Sequence, residues 1–295
     1  MYLLRNLPSS MMNPKLSRRS FIKASSALAG FQILPSGLLA NSPNGKLCTG
    51  HIGVAGKGYT DTFQIAADPR VQVLGLCDVD LRHLYGEGPR NRKDREPIPA
   101  PSARKFRDYR EMLSELGDTI DAVSISTPDH THYPATLAAM ERGKHVFTQK
   151  PLTNNIAEAR HLMKVAQEKD LVTQMGIQNK ATEGYRLATR LIREGAIGTV
   201  SKVHVWSFKN WGHNGAPYAG EDPIPEYLDW NLWLGTAPKR PFLEGKYHPS
   251  QWRRSLEFGC GTLGDMGVHI FDTPFDSLGL EPPIWAKATC RDPNY

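Results

Sequence analysis

The stretch His51-Ile-Gly-Val-Ala-Gly-Lys-Gly58 joins a short apolar run to a glycine-rich turn and then to helix-compatible sequence. Aligned on Gly53, Ala55 and Gly58, with Gly56 inside the turn, it follows the spacing G-x-G-x-x-G with alanine at the second glycine. That spacing suits a strand that turns sharply into a helix while its backbone approaches a pyrophosphate, because only very small residues let the main chain come so close. Glycine clusters also mark ordinary turns, so the flanking chain has to supply the other parts. Those parts are a buried strand, a helix and, about 20 residues on, a carboxylate at the end of a second strand to accept hydrogen bonds from a ribose.

The flanking chain supplies them. Val71 to Asp78 reads as a second buried strand ending in an acid, and Asp78 falls 20 residues beyond Gly58. Asp80 competes for the same role. A negative charge here repels the extra phosphate of NADP and so favours NAD. Helix-compatible sequence from Phe106 to Leu116 precedes a strand over Ile120 to Thr127, broken by Pro128 and followed by Asp129-His130-Thr131-His132. A helix from Tyr133 to Arg142, stopped by Gly143, a strand from His145 to Thr148, a helix from Asn155 to Lys169 and an apolar run from Leu171 to Met175 continue the alternation. Repeated strand–helix units imply an α/β domain with a doubly wound parallel sheet, a Rossmann domain over residues 46–175.

From Gly176 the texture changes. A helix is expected from Thr182 to Glu194, and Val200 to Trp206 alternates as a half-exposed strand. All six tryptophans, at 206, 211, 230, 233, 252 and 285, lie in this part, and large aromatics are more often core than ligand contacts. Residues 176–295 therefore read as a second, α+β domain for substrate binding and oligomerisation.

At 295 residues the chain is long enough for two such domains. Its formal charge of +6 comes partly from the N-terminal segment and partly from residues 86–107. That run is interleaved with prolines and acids and has no aromatics, so it reads as a solvated loop rather than a nucleic-acid surface. The four cysteines form no C-x-x-C pair, which speaks against a zinc ribbon or a redox pair. Cys48 and Cys77 sit in apolar strand-like runs and are expected to be buried packing residues. Ser17-Arg18-Arg19-Ser20-Phe21-Ile22-Lys23, followed by a mildly apolar stretch to Ala40, reads as a twin-arginine export signal. The apolar run is too short and too broken for a stable membrane span, so residues 1–40 are expected to be signal peptide and linker, and the protein periplasmic or secreted.

Two later motifs carry chemistry. At Gln149-Lys150-Pro151 a lysine follows a strand at the edge where open α/β sheets bind ligands, and its ammonium is expected to point into the crevice. In Gly259 to Asp272, Asp265 and His269 are four residues apart and share a helix face, with Asp272 about one further turn along. A carboxylate that orients an imidazole is what a general base needs to take a proton from a hydroxyl. The alternative makes Asp265 a helix cap and His269 a satisfied core residue. No third ligand accompanies this pair at convincing spacing, so no metal is expected.

Together, Gly53–Gly58, Asp78 and Asp80, Ser126 to His132, Gln149 to Leu152 and Leu263 to His269 resemble the glucose-fructose oxidoreductase, inositol dehydrogenase and rhizopine catabolism protein family (Gfo/Idh/MocA), over roughly residues 46 to 290. The resemblance implies Lys150 at the nicotinamide polarising the reacting oxygen, Asp265 bonding the substrate and His269 as acid/base. It places Thr127 and Pro128, with His132, along the nicotinamide side of the groove, and it implies a cis Lys150–Pro151 bond. The family usually has glutamate where this chain has Gln149. Its members also continue into an open antiparallel sheet, so this chain reads as truncated, and the full-length form is expected to be a homo-oligomer. The function implied is an exported oxidoreductase moving hydride between NAD and a sugar or polyol hydroxyl. The alternatives are an NAD-dependent glycoside hydrolase of the same family and a non-catalytic nucleotide- or sugar-binding protein.

Overall fold

The computed structural model describes residues 45–87, 96–212 and 218–289. The twin-arginine segment, the basic residues Arg90, Arg92, Lys93 and Arg95, and Cys290 lie outside the described residues.

Six strands form one parallel sheet. In chain order the elements are β1 (Leu47–Ile52), α1 (Lys57–Ala66), β2 (Val71–Cys77), α2 (Leu81–Leu84), β3 (Arg104–Phe106), α3 (Tyr109–Leu116), β4 (Ala122–Ile125), α4 (His132–Glu141), β5 (His145–Gln149), α5 (Ile156–Glu168) and β6 (Thr173–Gly176). The strand order is β3-β2-β1-β4-β5-β6, so the connections reverse direction between β1 and β4. Such a reversal opens a crevice at the carboxyl ends of the strands. Register aligns those ends: Ile52 pairs with both Cys77 and Ile125, and Ile125 pairs with Thr148. Consequently the residues just beyond, Gly53, Asp78, Ser126 and Lys150, leave the sheet along one edge.

The central strands β1, β2 and β4 are largely buried on both faces because helices cover both. Met112 and Leu113 of α3, Val123 and Ile125 of β4, and Ala135, Ala139 and Met140 of α4 are buried in one cluster. Cys77 is buried in that cluster too, and Cys48 is also buried. In β1 a polar pair sits within the apolar run: His51 Nε2 lies 3.0 Å from Thr49 Oγ1, and Nδ1 lies 3.1 Å from Thr62 Oγ1. Both ring nitrogens are thus satisfied without water, as burial requires. Burial pushes the His51 pKa down to about 4, so the ring is neutral.

Local chemistry sets the helix starts. Asp108 caps α3 by accepting from the Arg110 amide, so that helix begins at Tyr109 rather than at Phe106. Asn155 caps α5 by accepting from the Glu158 amide, and Gly143 (φ +74°) follows α4 as the expected stop. The sequence did not reveal β3. It is a three-residue edge strand with Arg104 and Lys105 exposed, and charge there discourages pairing with another chain.

After β6 the described chain continues as α6 (Glu183–Arg193), α7 (Trp230–Leu234), α8 (Gly261–Ile270) and α9 (Asp272–Ser277). Val200–Trp206 is not a strand in the structure. Alternation gives only a preference, and this segment has no ladder partner among the described residues; Trp206 is 69% exposed. Trp230, Trp233, Phe242, Tyr247, Trp252 and Phe258 pack into a second core, with Trp230 and Trp233 stacked at a centroid distance of 4.7 Å. This core is joined to the sheet at the end of β2. There Leu81 donates its amide to Tyr227 at 2.9 Å, and Asp229 donates to Val79 at 3.0 Å. No described helix is long and apolar enough to cross a membrane.

Candidate functional site

At the glycine turn, the strand–helix approach leaves no room for side chains. A Cβ on Gly58 would lie 1.9 Å from the Gly53 carbonyl oxygen, and one on Gly53 would lie 2.8 Å from the Ser126 carbonyl oxygen. Gly53 and Gly56 also adopt positive φ, of +77° and +56°, which L side chains rarely tolerate. The turn delivers the N-terminus of α1 to a groove lined by Gly53, Ala55, Asp78, Thr127, Pro128 and Lys150, and closed from the other side by Asn231, Trp233, His248 and Trp252. The sequence offered Asp78 and Asp80 for one role, and the structure separates them. Asp78 lines the groove, its carboxylate fixed by the amides of Val54 and Asp80, each at 3.0 Å. Asp80 is wholly buried beneath it, accepting from Arg82 and His248.

These residues fit a dinucleotide. The helix N-terminus attracts a diphosphate, and Asp78 stands at the strand end where a ribose is held. The Thr127 hydroxyl, on the groove wall, is buried with no hydrogen-bond partner among the described residues, as is Arg107 Nε at the opposite end. His132 does not line the groove. Its ring is buried behind the groove, with nitrogens 2.6 Å from the Pro151 carbonyl oxygen and 2.9 Å from that of Thr127, so it ties two strand-end loops together. The Lys150–Pro151 bond is cis.

At the far end of the groove Lys150 meets helix α8. Its ammonium donates to Asp265 Oδ1 at 2.7 Å and to the Asp265 carbonyl at 2.6 Å. Trp211 Nε1 donates to Asp265 Oδ2 at 2.8 Å, and Arg253 Nε lies 3.3 Å from Oδ1. Asp265 therefore sits inside a helix as a shared acceptor rather than as a cap. Burial pushes its carboxyl up, but Lys150, Arg253 and Trp211 together hold it below the usual carboxylate range. One turn on, His269 is buried, and its Nδ1 has no hydrogen-bond partner among the described residues. Burial, then the Lys150 ammonium, lower its pKa against the weaker pull of Asp265 and Asp272. Its ring is neutral near pH 7, as a general base must be. Trp211 and Arg253 were not legible in the sequence, because they lie 54 and 12 residues from Asp265 and only folding brings them there. Asp129 was legible only as part of a motif; it lines the groove, and burial raises its pKa.

A second carboxylate anchors the other side of Lys150. Asp61 of α1, 5% exposed, accepts from Gln149 Nε2 at 2.8 Å, from Ser126 Oγ at 3.0 Å and from the Lys57 ammonium. Gln149 is equally buried, and Gly176 leaves it room, since a Cβ there would lie 2.5 Å from its amide nitrogen. Glutamine is thus the residue that can donate to Asp61. A Gln149→Glu variant would set two carboxylates in contact away from water, and it is expected to lose about 2–4 kcal/mol of stability at neutral pH. Adding Asp61→Asn should restore most of that loss. Urea unfolding of both variants checks it; a Gln149→Glu protein as stable as the parent would refute the contact's importance.

Known proteins resemble this chain in both halves. A family model described as an oxidoreductase family, NAD-binding Rossmann fold, matches residues 51–177, and its companion, a C-terminal alpha/beta domain, matches residues 186–279. Levoglucosan dehydrogenase of Pseudarthrobacter phenanthrenivorans is 26% identical over 181 residues, covering 59% of this chain and 38% of that protein. Glycosyl hydrolase family 109 protein 1 of Shewanella sp. strain ANA-3 is 26% identical over 206 residues, covering 62% and 44%. The chain thus spans less than half the length of these curated relatives. Among solved structures, GenD2 from gentamicin A biosynthesis, in complex with NAD, shares the fold with a TM-score of 0.52 at 21% identity, covering 79% of this chain and 54% of its own. The glycine turn, the strand-end acid and the lysine at the end of β5 fall within the first matched region, and Asp265 and His269 within the second; the chain belongs to the Gfo/Idh/MocA oxidoreductase family, and its parallel sheet is that family's NAD-binding Rossmann fold.

Proposed function

We propose that this protein is an exported NAD-dependent oxidoreductase acting on a hydroxyl of a sugar or polyol. The observation that carries the reading is the Lys150–Asp265 pair at the end of the cofactor groove, with His269 buried one helical turn beyond. Bound NAD would supply the hydride acceptor. Lys150 would hold the reacting oxygen and stabilise charge developing on it, while Asp265, fixed by Trp211 and Arg253, orients the ammonium. His269, one helical turn from Asp265, would take the hydroxyl proton. Similarity to a levoglucosan dehydrogenase supports a carbohydrate substrate. The twin-arginine motif around Arg18 and Arg19 supports export of a folded, cofactor-loaded protein. Free nicotinamide cofactor is scarce outside the cytoplasm, so the cofactor would be tightly retained and regenerated by a second substrate. A homo-oligomer is part of the same proposal.

Similarity of the same degree to a Shewanella glycosyl hydrolase favours one second reading, in which transient oxidation labilises a glycosidic bond. One experiment separates the two. Mass spectrometry of co-purifying nucleotide should find NAD, and a panel of sugars, anhydrosugars, polyols and glycosides should then be screened for nicotinamide reduction and for released sugar. Reduction without sugar release supports the oxidoreductase; sugar release without net NADH supports the glycosidase. Neither signal from an NAD-loaded protein would leave only a binding role.

A further inference from the structure

Below the groove, three potential metal ligands from distant parts of the chain converge. Asp80 precedes α2, His83 lies within it, and His248 arrives from the aromatic core of the second half. Asp80 Oδ2 lies 2.9 Å from His248 Nε2 and 3.6 Å from His83 Nε2, and one ligand atom from each residue lies within 4.8 Å of the others. The sequence could not show this cluster, because His248 stands 168 residues from Asp80.

The orientation of His83 points to a ligand. Its Nδ1 lies 3.1 Å from Asp78 Oδ1, so the ring is held by a carboxylate on one side and turns Nε2 toward Asp80 and His248. That is the outer-shell arrangement that fixes tautomer and aim in metal-binding histidines. His83 is only 6% exposed, yet its Nε2 has no hydrogen-bond partner among the described residues. A buried ring nitrogen left in that state is costly unless something completes it.

We propose that Asp80 Oδ2, His83 Nε2 and His248 Nε2 form a three-ligand site for a divalent transition metal. Two imidazoles and one carboxylate suit zinc, cobalt or nickel, whereas magnesium and calcium need a shell of oxygens. Ligation requires His248 to carry its proton on Nδ1, which frees Nε2 and a lone pair of Asp80 Oδ2 for the ion. A water would complete the tetrahedron. The ion would clamp the second half of the chain onto the end of β2.

The test uses tag-free protein stripped with a chelator and titrated with Co2+, followed by its visible d–d absorption, and with Zn2+ by calorimetry. One equivalent of either metal should bind, and Mg2+ should not compete. His83→Ala and His248→Ala should each weaken binding by about a hundredfold or more. His248 is less buried than His83, so His248→Gln, which keeps a donor for Asp80, is the second variant if His83→Ala fails to express. Absence of stoichiometric binding, or binding that survives both His248 variants, would overturn the proposal. The readout is metal alone, so it stands or falls apart from the oxidoreductase reading.

Discussion

Replacing Lys150 by alanine is expected to lower turnover by about 10²–10³-fold while leaving NAD affinity within a few-fold of the parent. The asymmetry follows from where the ammonium points. It makes its two strong contacts to Asp265, on the second half of the chain, at 2.6 and 2.7 Å, and follows β5, two strands away from the β1 turn that would face the diphosphate. Removing it takes away the cation that would face the reacting oxygen and leaves the Asp265 carboxylate to Trp211 and Arg253. Because one cause of the low His269 pKa is the Lys150 charge, the same variant should move the acid limb of the pH–rate profile upward. Below that pKa the imidazole is protonated and cannot act as base, so the variant should lose activity at a higher pH than the parent. Steady-state kinetics with cofactor-binding titrations check both parts. Turnover retained within tenfold would remove Lys150 from the chemistry.

Gly58→Ala should be the most damaging single methyl group in the cofactor domain. The added Cβ would sit 1.9 Å from the Gly53 carbonyl oxygen and 3.1 Å from Ser126 Cβ, and the first obstacle is backbone, which cannot rotate away as a side chain can. Helix α1 would have to lift from β1 and β4, at a cost of about 3 kcal/mol or more, and the turn that faces the diphosphate would move with it. Gly143→Ala is the matched control. Gly143 has φ +74° but open space around it, so only backbone strain of about 1 kcal/mol is expected, with no loss of NAD binding. Thermal unfolding and NAD titration of the two variants separate close packing from strain; equal effects would show that the turn tolerates a side chain.

The contrast between those glycines reflects what the sequence made legible. The cofactor edge was readable because each part lies within a few residues of a strand end, and the strands announce themselves by apolar runs bounded by Gly, Asp and Pro. Gly53, Asp78, Thr127 and Lys150 are brought together by sheet register alone. Residues whose roles depend on long-range packing were not readable. Asp61 looks like an ordinary helix-surface acid until folding buries it against Gln149 and Ser126. Arg253 and Trp211 reach Asp265 only after the second half docks. His132 carried a motif signal, but its ring serves the loops behind the groove, since sequence spacing places the residue without fixing its side-chain direction. The segment from Val200 to Trp206 shows the opposite error: alternation describes the faces of a strand, and among the described residues none pairs with it to make it one.

The contact between Gln149 and Asp61 also makes the two positions one unit for anyone redesigning the cofactor edge. An acid at 149 is compatible only with a neutral residue at 61, so a Glu-Lys-Pro segment grafted into this chain would have to bring a change at 61 with it. A double-mutant cycle on Gln149→Glu and Asp61→Asn should therefore be strongly non-additive.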